Sequence, residues 1–315
     1  MTYDADAITA RRKLRRSVTL WRVLAVLGGL FALGAIILAA SGGVLDRRGD
    51  HIARIEVDGL ITGDAKTLKM LEQIEKADRV KALIVSIDSP GGTTAGSEAI
   101  YEWLRKIAAK KPVVSTMGTV AASGGYITAI GTDYIVARGN TITGSIGVIF
   151  QWADLEKLLQ TVGVQMEEVK SGELKAEPNF FGPPSEKVLA VTNEMVQDSY
   201  RWFTGLVHER RGIEEQKIVD MQGRVFTGRQ ALKEKLVDAI GGEEVAVKWL
   251  QDEKKVPKLR IVDWKPNDGF EGFGIFSMAS AGLEFAGFPT LAKLFDERAQ
   301  SVHLDGLLSL WQARP

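Results

Sequence analysis

Between Val23 and Ala40 the chain has eighteen consecutive residues without a charge, every one apolar or glycine. At a rise of about 1.5 Å per residue, about 20 such residues cross a hydrocarbon core of about 30 Å. A helix buried in a soluble core normally keeps a polar stripe, and this stretch has none. Its apolar character fades through Ser41, Gly42, Gly43, Val44 and Leu45. The sequence therefore predicts a transmembrane anchor over residues 23–45. Arg11, Arg12, Lys13, Arg15, Arg16 and Arg22 precede it against Asp4 and Asp6. Beyond it, Arg47 and Arg48 are offset by Asp46 and Asp50. That asymmetry keeps residues 1–22 cytoplasmic and sends the chain after about residue 46 across the membrane. Ala39-Ala40-Ser41 also suits a leader-peptide cut, so a cleaved leader is the competing reading.

The remainder is an ordinary globular chain: over all 315 residues, 45% are apolar and 25% charged. Lys plus Arg and Asp plus Glu both number 40, so no net positive field exists to hold a nucleic acid. Cysteine is absent, which excludes thiol catalysis, disulfide frameworks and thiolate metal centres. No metal or cofactor is implied. Residues 46–262 read as one domain of alternating strands and helices. Strand patterns cover 52–57, 80–87 and 113–117, and helical spacing covers 65–77, 94–109 and 185–210. Such alternation predicts an α/β fold with a mostly parallel sheet. Residues 263–315 change character, with Gly, Phe, Leu and Ala at uneven spacing and no assigned role.

Two places combine a strand end, a glycine cluster and a helix start: Asp88-Ser89-Pro90-Gly91-Gly92-Thr93 and Ala121-Ala122-Ser123-Gly124-Gly125-Tyr126. In open parallel sheets, ligands bind beyond the carboxyl ends of the strands. Glycine there lets backbone N–H groups approach a substrate, and two converging N–H groups form an oxyanion hole. Neither cluster matches G-x-x-x-x-G-K-[ST] or G-x-G-x-x-G, so phosphate binding is disfavoured. The small nucleophile inside the second cluster is Ser123.

A serine needs a base. His51 is close to the predicted membrane surface, His208 sits in a charged helix end, and His303 lies in the irregular tail. None has a glycine-framed setting at a strand end. The alternative base is lysine, which must be neutral to act. Its reference pKa of about 10.4 has to fall to roughly 7–8, which burial without a carboxylate partner can achieve. Composition does not choose the lysine. Lys175, flanked by Leu174 and Ala176, and Lys170 are the local candidates.

At this point the residues resemble a known family, the short form of bacterial signal peptide peptidase A. These are membrane-anchored serine proteases related to the Clp protease and crotonase folds. The matching stretches are Asp88–Gly92, Ala122–Tyr126, Thr143-Gly-Ser-Ile-Gly-Val-Ile149, Lys170-Ser-Gly-Glu-Leu-Lys175 and Gly223-Arg-Val-Phe-Thr-Gly228, running on through Leu236–Gly242. The resemblance implies Ser123 as nucleophile and Lys175 as general base, with Lys175 rather than Lys170 in the Gly-x-x-Lys position. It implies Ser145 as the hydroxyl that orients the lysine amine, and the N–H groups of Gly92 and Gly124 as oxyanion donors. Glu177-Pro-Asn-Phe-Phe-Gly-Pro-Pro184 departs from the family by its proline content.

The resemblance further implies acyl transfer on peptides, with cleaved signal peptides as substrates. It implies a homo-oligomeric ring whose active sites draw Ser123 and Lys175 from neighbouring protomers. The location implied is the bacterial inner membrane, with the lipid bilayer contacted through residues 23–45 and the catalytic domain on the extracytoplasmic side. Three other readings stay open: a membrane protease of the same family acting on membrane or stress-damaged proteins, an acyl-thioester enzyme of the crotonase type, and a non-catalytic membrane scaffold.

Overall fold

The computed structural model describes residues 49–266 and 308–310, together with residues 18, 20–22, 24 and 28. Two compact units divide the chain, Met1–Gly49 and Asp50–Pro315. Apart from Leu24 and Gly28, which are helical, the predicted anchor over 23–45 lies outside the described residues. Among the described residues no helix is long and apolar enough to cross a membrane.

In the second unit the order is β1 (His51–Ile61), α1 (Ala65–Lys76), β2 (Val80–Thr93), α2 (Thr94–Ala108), β3 (Val113–Ala122), α3 (Gly124–Ile130), β4 (Tyr134–Ala137) and β5 (Ile142–Gly144). There follow α4 (Glu156–Thr161), α5 (Glu186–Arg211), α6 (Glu215–Asp220), β6 (Val225–Thr227), α7 (Gly228–Lys233), β7 (Ala239–Ile240), α8 (Glu243–Asp252), β8 (Ile261–Asp263) and β9 (Leu308–Leu310). The strands join in one sheet along the path β6-β5-β3-β2-β1-β8, with β4 and β9 pairing off this path to β3 and β2. Pairing is parallel between β1 and β2, β2 and β3, β3 and β4, and β3 and β5. Among the described residues only β5–β6 and β2–β9 are antiparallel. The mostly parallel α/β sheet expected from the β–α alternation is present.

The apolar run Ala82–Ile87 shows why the sheet is covered on both faces. Leu83, Val85 and Ile87 enter one core with Leu71 and Ile74 of α1, Leu104 and Ile107 of α2, and Phe203 and Val207 of α5. Ala82 and Ile84 enter a second core with Ala246 and Leu250 of α8. Alternate residues of one strand thus serve opposite faces. Each fully buried Ile, Leu or Phe contributes roughly 1.5–3 kcal/mol relative to exposure. Side chains begin several helices: Asp64 accepts from the N–H groups of Lys66 and Thr67, and Thr93 accepts from that of Gly96. Gly212 closes α5 with a left-handed φ of 62°.

Two strands outrun their expected ends. β2 continues from Ile87 to Thr93, and β3 continues from Met117 to Ala122. Low β propensity at Asp88-Ser-Pro-Gly-Gly92 ends the sequence signal, but the backbone carries on because Leu60 and Ile61 of β1 pair with Gly91 and Gly92. A Cβ at Gly92 would lie 1.9 Å from the Ile61 carbonyl oxygen, so this close approach of two strands requires glycine. β3 exchanges partners along its length, pairing with β4 over Val114–Met117 and with β5 over Val120–Ala122.

Helix α3, which follows Ser123, is buried throughout. Its Tyr126 hydroxyl donates to the Leu236 carbonyl at 2.8 Å, and burial pushes the phenol above its ordinary pKa, so it stays a neutral donor. Tyr126→Phe would leave that carbonyl unpaired in a dry site. The expected loss is about 1–3 kcal/mol, read as a lower urea midpoint with unchanged slope; an unchanged midpoint would mean the bond contributes nothing.

Candidate active site

Three strands end together. The register pairs Ala122 of β3 with Gly144 of β5, so Ser123 and Ser145 are the next residues beyond neighbouring parallel strands. Both leave the strand with a positive φ, 54° at Ser123 and 50° at Ser145. Such φ values are uncommon for a residue with a side chain and cost of order 1–3 kcal/mol unless the surroundings hold them. Here the surroundings do. The Ser123 N–H donates to the Gly144 carbonyl at 2.9 Å, and the Ser145 N–H donates to the Arg224 carbonyl at 3.0 Å. The Thr143 hydroxyl donates to the Ala121 carbonyl at 2.6 Å, stitching the same two strand ends. Gly144 itself has φ +82°, and a Cβ there would meet the Phe226 ring at 2.7 Å. Ser123 is 1% exposed and Ser145 9% exposed.

The third strand end is β2. A Cβ on Gly125 would lie 2.7 Å from the Ser89 carbonyl oxygen, so α3 starts against the extension of β2. The Ser89 hydroxyl donates to the Gly59 carbonyl at 2.6 Å and accepts from the Gly91 N–H at 3.1 Å. That pins the backbone just before Gly92. The candidate oxyanion donors Gly92 and Gly124 therefore sit on two elements in direct contact. The structure brings Ser123, Ser145, Gly124 and the Gly91-Gly92 strip to one end of the sheet.

Lys175 is placed differently. It is exposed, its N–H donates to the Gly172 carbonyl at 3.0 Å, and no carboxylate among the described residues pairs with its amine. The dry surroundings that a lysine base needs are not built around it by the single chain. Lys170 is held in the opposite condition. It binds Glu168 at 2.6 Å and also Glu177, and hydrogen bonds to these two carboxylates raise its pKa above the ordinary lysine value. A lysine so held stays charged and is unsuited to take a proton. Of the two local candidates, only Lys175 lacks a counter-charge.

The histidines do not compete. His51 is fully buried at the start of β1, where its Nε2 accepts from the Trp264 indole at 3.1 Å. The start of a parallel strand is the opposite end of the sheet from Ser123. His208 is exposed and binds the Ile213 carbonyl through Nδ1 at 2.8 Å, at the close of α5. His303 lies outside the described residues.

Sequence reasoning missed one positioning residue. The Asp88 carboxylate accepts from the Thr119 N–H at 3.1 Å and the Val120 N–H at 3.0 Å. These donors lie where the β2–β3 register slips, between the pairs Ile87–Met117 and Ser89–Ala121. Gly118 lets the carboxylate in, since a Cβ there would stand 2.5 Å from Asp88 Oδ2. Asp88 thus fixes the bulge that carries β3 on to Ser123. The available signal was a carboxylate closing an apolar strand run.

A mostly parallel α/β sheet with a strained serine at a strand-to-helix turn is an arrangement that serine hydrolases use. The comparisons agree. The Clp protease family model matches residues 59–140, and the model described as peptidase family S49 matches residues 105–257. "Putative protease slr0021" of Synechocystis sp. is 40% identical over 223 residues, spanning 68% of this chain and 80% of its own. "Putative signal peptide peptidase SppA" of Enterococcus faecium is 33% identical over 231 residues, spanning 68% and 67%. "Protease 4" of Haemophilus influenzae is 34% identical over 211 residues, spanning 63% of this chain and 34% of its own. The chain belongs to peptidase family S49 and is a serine protease with a Clp protease-like fold.

Removing the Asp88 carboxylate tests the positioning role. Asp88→Ala should slow fluorophosphonate labelling of the active serine by at least about tenfold, because small misplacements of reacting groups are costly. Asp88→Asn, which keeps one acceptor, should fall between. A labelling rate unchanged in both variants would contradict the role.

Proposed function

We propose that this chain is a membrane-anchored serine endopeptidase that degrades signal peptides remaining in the membrane after preprotein processing. Ser123 is its nucleophile, Lys175 its general base and Ser145 the hydroxyl that orients the lysine amine. The observation that carries the assignment is the paired arrangement of Ser123 and Ser145. Each stands one residue beyond adjacent parallel strands, and each has a positive φ locked by backbone hydrogen bonds. A sharp strand-to-helix turn of this kind aims a serine oxygen out of the end of a sheet.

In the proposed reaction the neutral Lys175 amine removes the Ser123 hydroxyl proton as Oγ attacks a peptide carbonyl carbon. The oxyanion rests on the N–H groups of Gly92 and Gly124. Lys175 passes the proton to the departing amine, and the acyl group stays on Ser123 as an ester. Water, activated by the same amine, then releases the acid. A hydroxyl at Ser145 serves the amine without adding a negative charge that would favour its protonated form.

The base reaches the nucleophile of a neighbouring protomer in this scheme. Two features support that. Lys175 is exposed in the single chain, and the segment carrying it leaves Leu158, Val164, Met166, Val169, Phe180 and Phe181 exposed. Apolar surface of that density is what a subunit contact covers. Covering it would also dry the lysine.

The proposed organisation is a cytoplasmic segment 1–22, an anchor 23–45, a protease domain 46–262 and a tail 263–315. The anchor places the protease at the extracytoplasmic face of a bacterial inner membrane, in the layer that holds cleaved signal peptides. The relative from Enterococcus faecium, carrying signal peptide peptidase in its name, supports this substrate class.

Ser123→Ala and Lys175→Met should each lower hydrolysis of an apolar quenched peptide by at least about a thousandfold. Because the sites are shared, hetero-oligomers assembled from the two inactive chains should recover a measurable fraction of activity. No recovery under confirmed mixing would contradict shared sites, and full activity in either single variant would contradict the dyad.

A further inference from the structure

Helix α3 presents both Ser123, its amino-terminal cap, and the Gly124 N–H. It is seven residues long, roughly 10 Å, and opens on Gly124-Gly125. A helix that short is not stable by itself, and two glycines in its first turn soften the end that carries the chemistry. Its placement has to be imposed by the rest of the fold. A helix leaves its last carbonyls without intrahelical partners. At the close of α3 the successive residues Ile130, Gly131 and Thr132 are buried, and the carbonyls of all three accept from guanidinium groups.

Arg210, in the last turn of α5, takes two of them. Its Nε donates to the Ile130 carbonyl and its Nη2 to the Thr132 carbonyl, each at 3.0 Å. Arg105, in the last turn of α2, takes the third: its Nη1 donates to the Gly131 carbonyl at 3.1 Å and to the Asp133 carboxylate at 3.2 Å. Arg105 therefore has a counter-charge. Among the described residues no carboxylate forms an ion pair with Arg210, and burial first, then the nearby Arg105 charge, lower its pKa. A guanidinium stays charged nonetheless. Setting one half-buried beside another cation is unfavourable unless something negative faces it. Here that is the carboxyl end of α3, with its converging carbonyl dipoles. The planar fork spans two carbonyls two residues apart, so it resists both sliding and rotation of the helix.

We propose that Arg210 is a positioning residue for hydrolysis: by gripping the carboxyl end of α3 it fixes Ser123 and the Gly124 N–H at the other end. This rests on Ser123 and Gly124 forming the hydrolytic site. With the far end of α3 released, Ser123 can relax from its φ of 54° toward an ordinary backbone conformation, and the Gly124 N–H moves with it. Attack by Ser123 and support of the oxyanion are realised in the transition state rather than in the bound substrate. Losing the grip therefore lowers kcat and leaves KM nearly unchanged.

The test uses the full chain and an internally quenched apolar peptide, and the fold supplies a matched control. Lys111 closes α1 in the same manner, its amine donating to the Ile74 and Ala77 carbonyls at 2.9 Å each, with burial lowering its pKa. Helix α1 carries no residue of the site. Arg210→Leu should lower kcat by at least about tenfold, with KM within about twofold of wild type. Arg210→Lys, which keeps the charge but loses the fork, should recover part of that loss. Lys111→Met, whatever it costs in urea midpoint, should leave kcat within about twofold of wild type. A kcat within about twofold of wild type in Arg210→Leu, or in Arg210→Lys where the leucine variant does not fold, overturns the proposal. So does a rise in KM at constant kcat. An equal fall of kcat in Lys111→Met also overturns it, because the effect would then be one of general stability. Hydrolysis that survives Ser123→Ala overturns the underlying assignment instead.

Discussion

The site depends on holding a serine in a backbone conformation that serine disfavours. Ser123 leaves β3 at φ 54° and Ser145 leaves β5 at φ 50°. Neither would persist in a flexible loop, where relaxing costs nothing. Both persist because the Ser123 N–H is tied to Gly144, the Ser145 N–H to Arg224, and the strands beneath them are paired in register. The strain, of order 1–3 kcal/mol at each residue, is small beside the burial of the sheet that imposes it. Core packing, strand register and serine placement form one chain of cause. Asp88 extends it by holding the β3 bulge with two backbone hydrogen bonds.

A second constraint is what one chain leaves unfinished. The proposed nucleophile is buried at a strand end, whereas the proposed base sits on an exposed segment with apolar neighbours that are also exposed. A lysine in water stays protonated at neutral pH. The proposed ring answers both facts at once, since one contact would cover the apolar side chains and dehydrate the amine. Lys170, bound to two carboxylates, shows the alternative fate of a lysine in the same stretch.

Much of this was legible in the sequence, for identifiable reasons. Apolar runs such as Val80–Ile87, and helical spacing over 94–109, carry their periodicity in the residues themselves, and the elements lie where that periodicity puts them. The glycine clusters stand together at one end of the sheet, in a conformation that local propensity does not predict. Asp88–Thr93 and Gly118–Ala122 were expected beyond the strands but are parts of them. Their strand state comes from neighbours: Gly92 is extended because Ile61 lies against it, which no local propensity records. The Asp88 contact spans more than thirty positions to Val120, so nothing in its own segment reveals it. β9 is three residues in a tail of uneven composition, too short to carry a period. Family motifs chose Lys175 over Lys170, where composition alone left both.

The account stands or falls on where the acyl group rests during turnover. Rapid quenching of the assembled protein during hydrolysis of a slow ester or peptide substrate, followed by peptide mapping, reads this directly. The account predicts that the amino-terminal part of the substrate is recovered as an ester on Ser123, and that the adduct disappears in Lys175→Met. An acyl adduct on any other residue, or steady hydrolysis with no covalent intermediate when release of the acid is slowed, would contradict it.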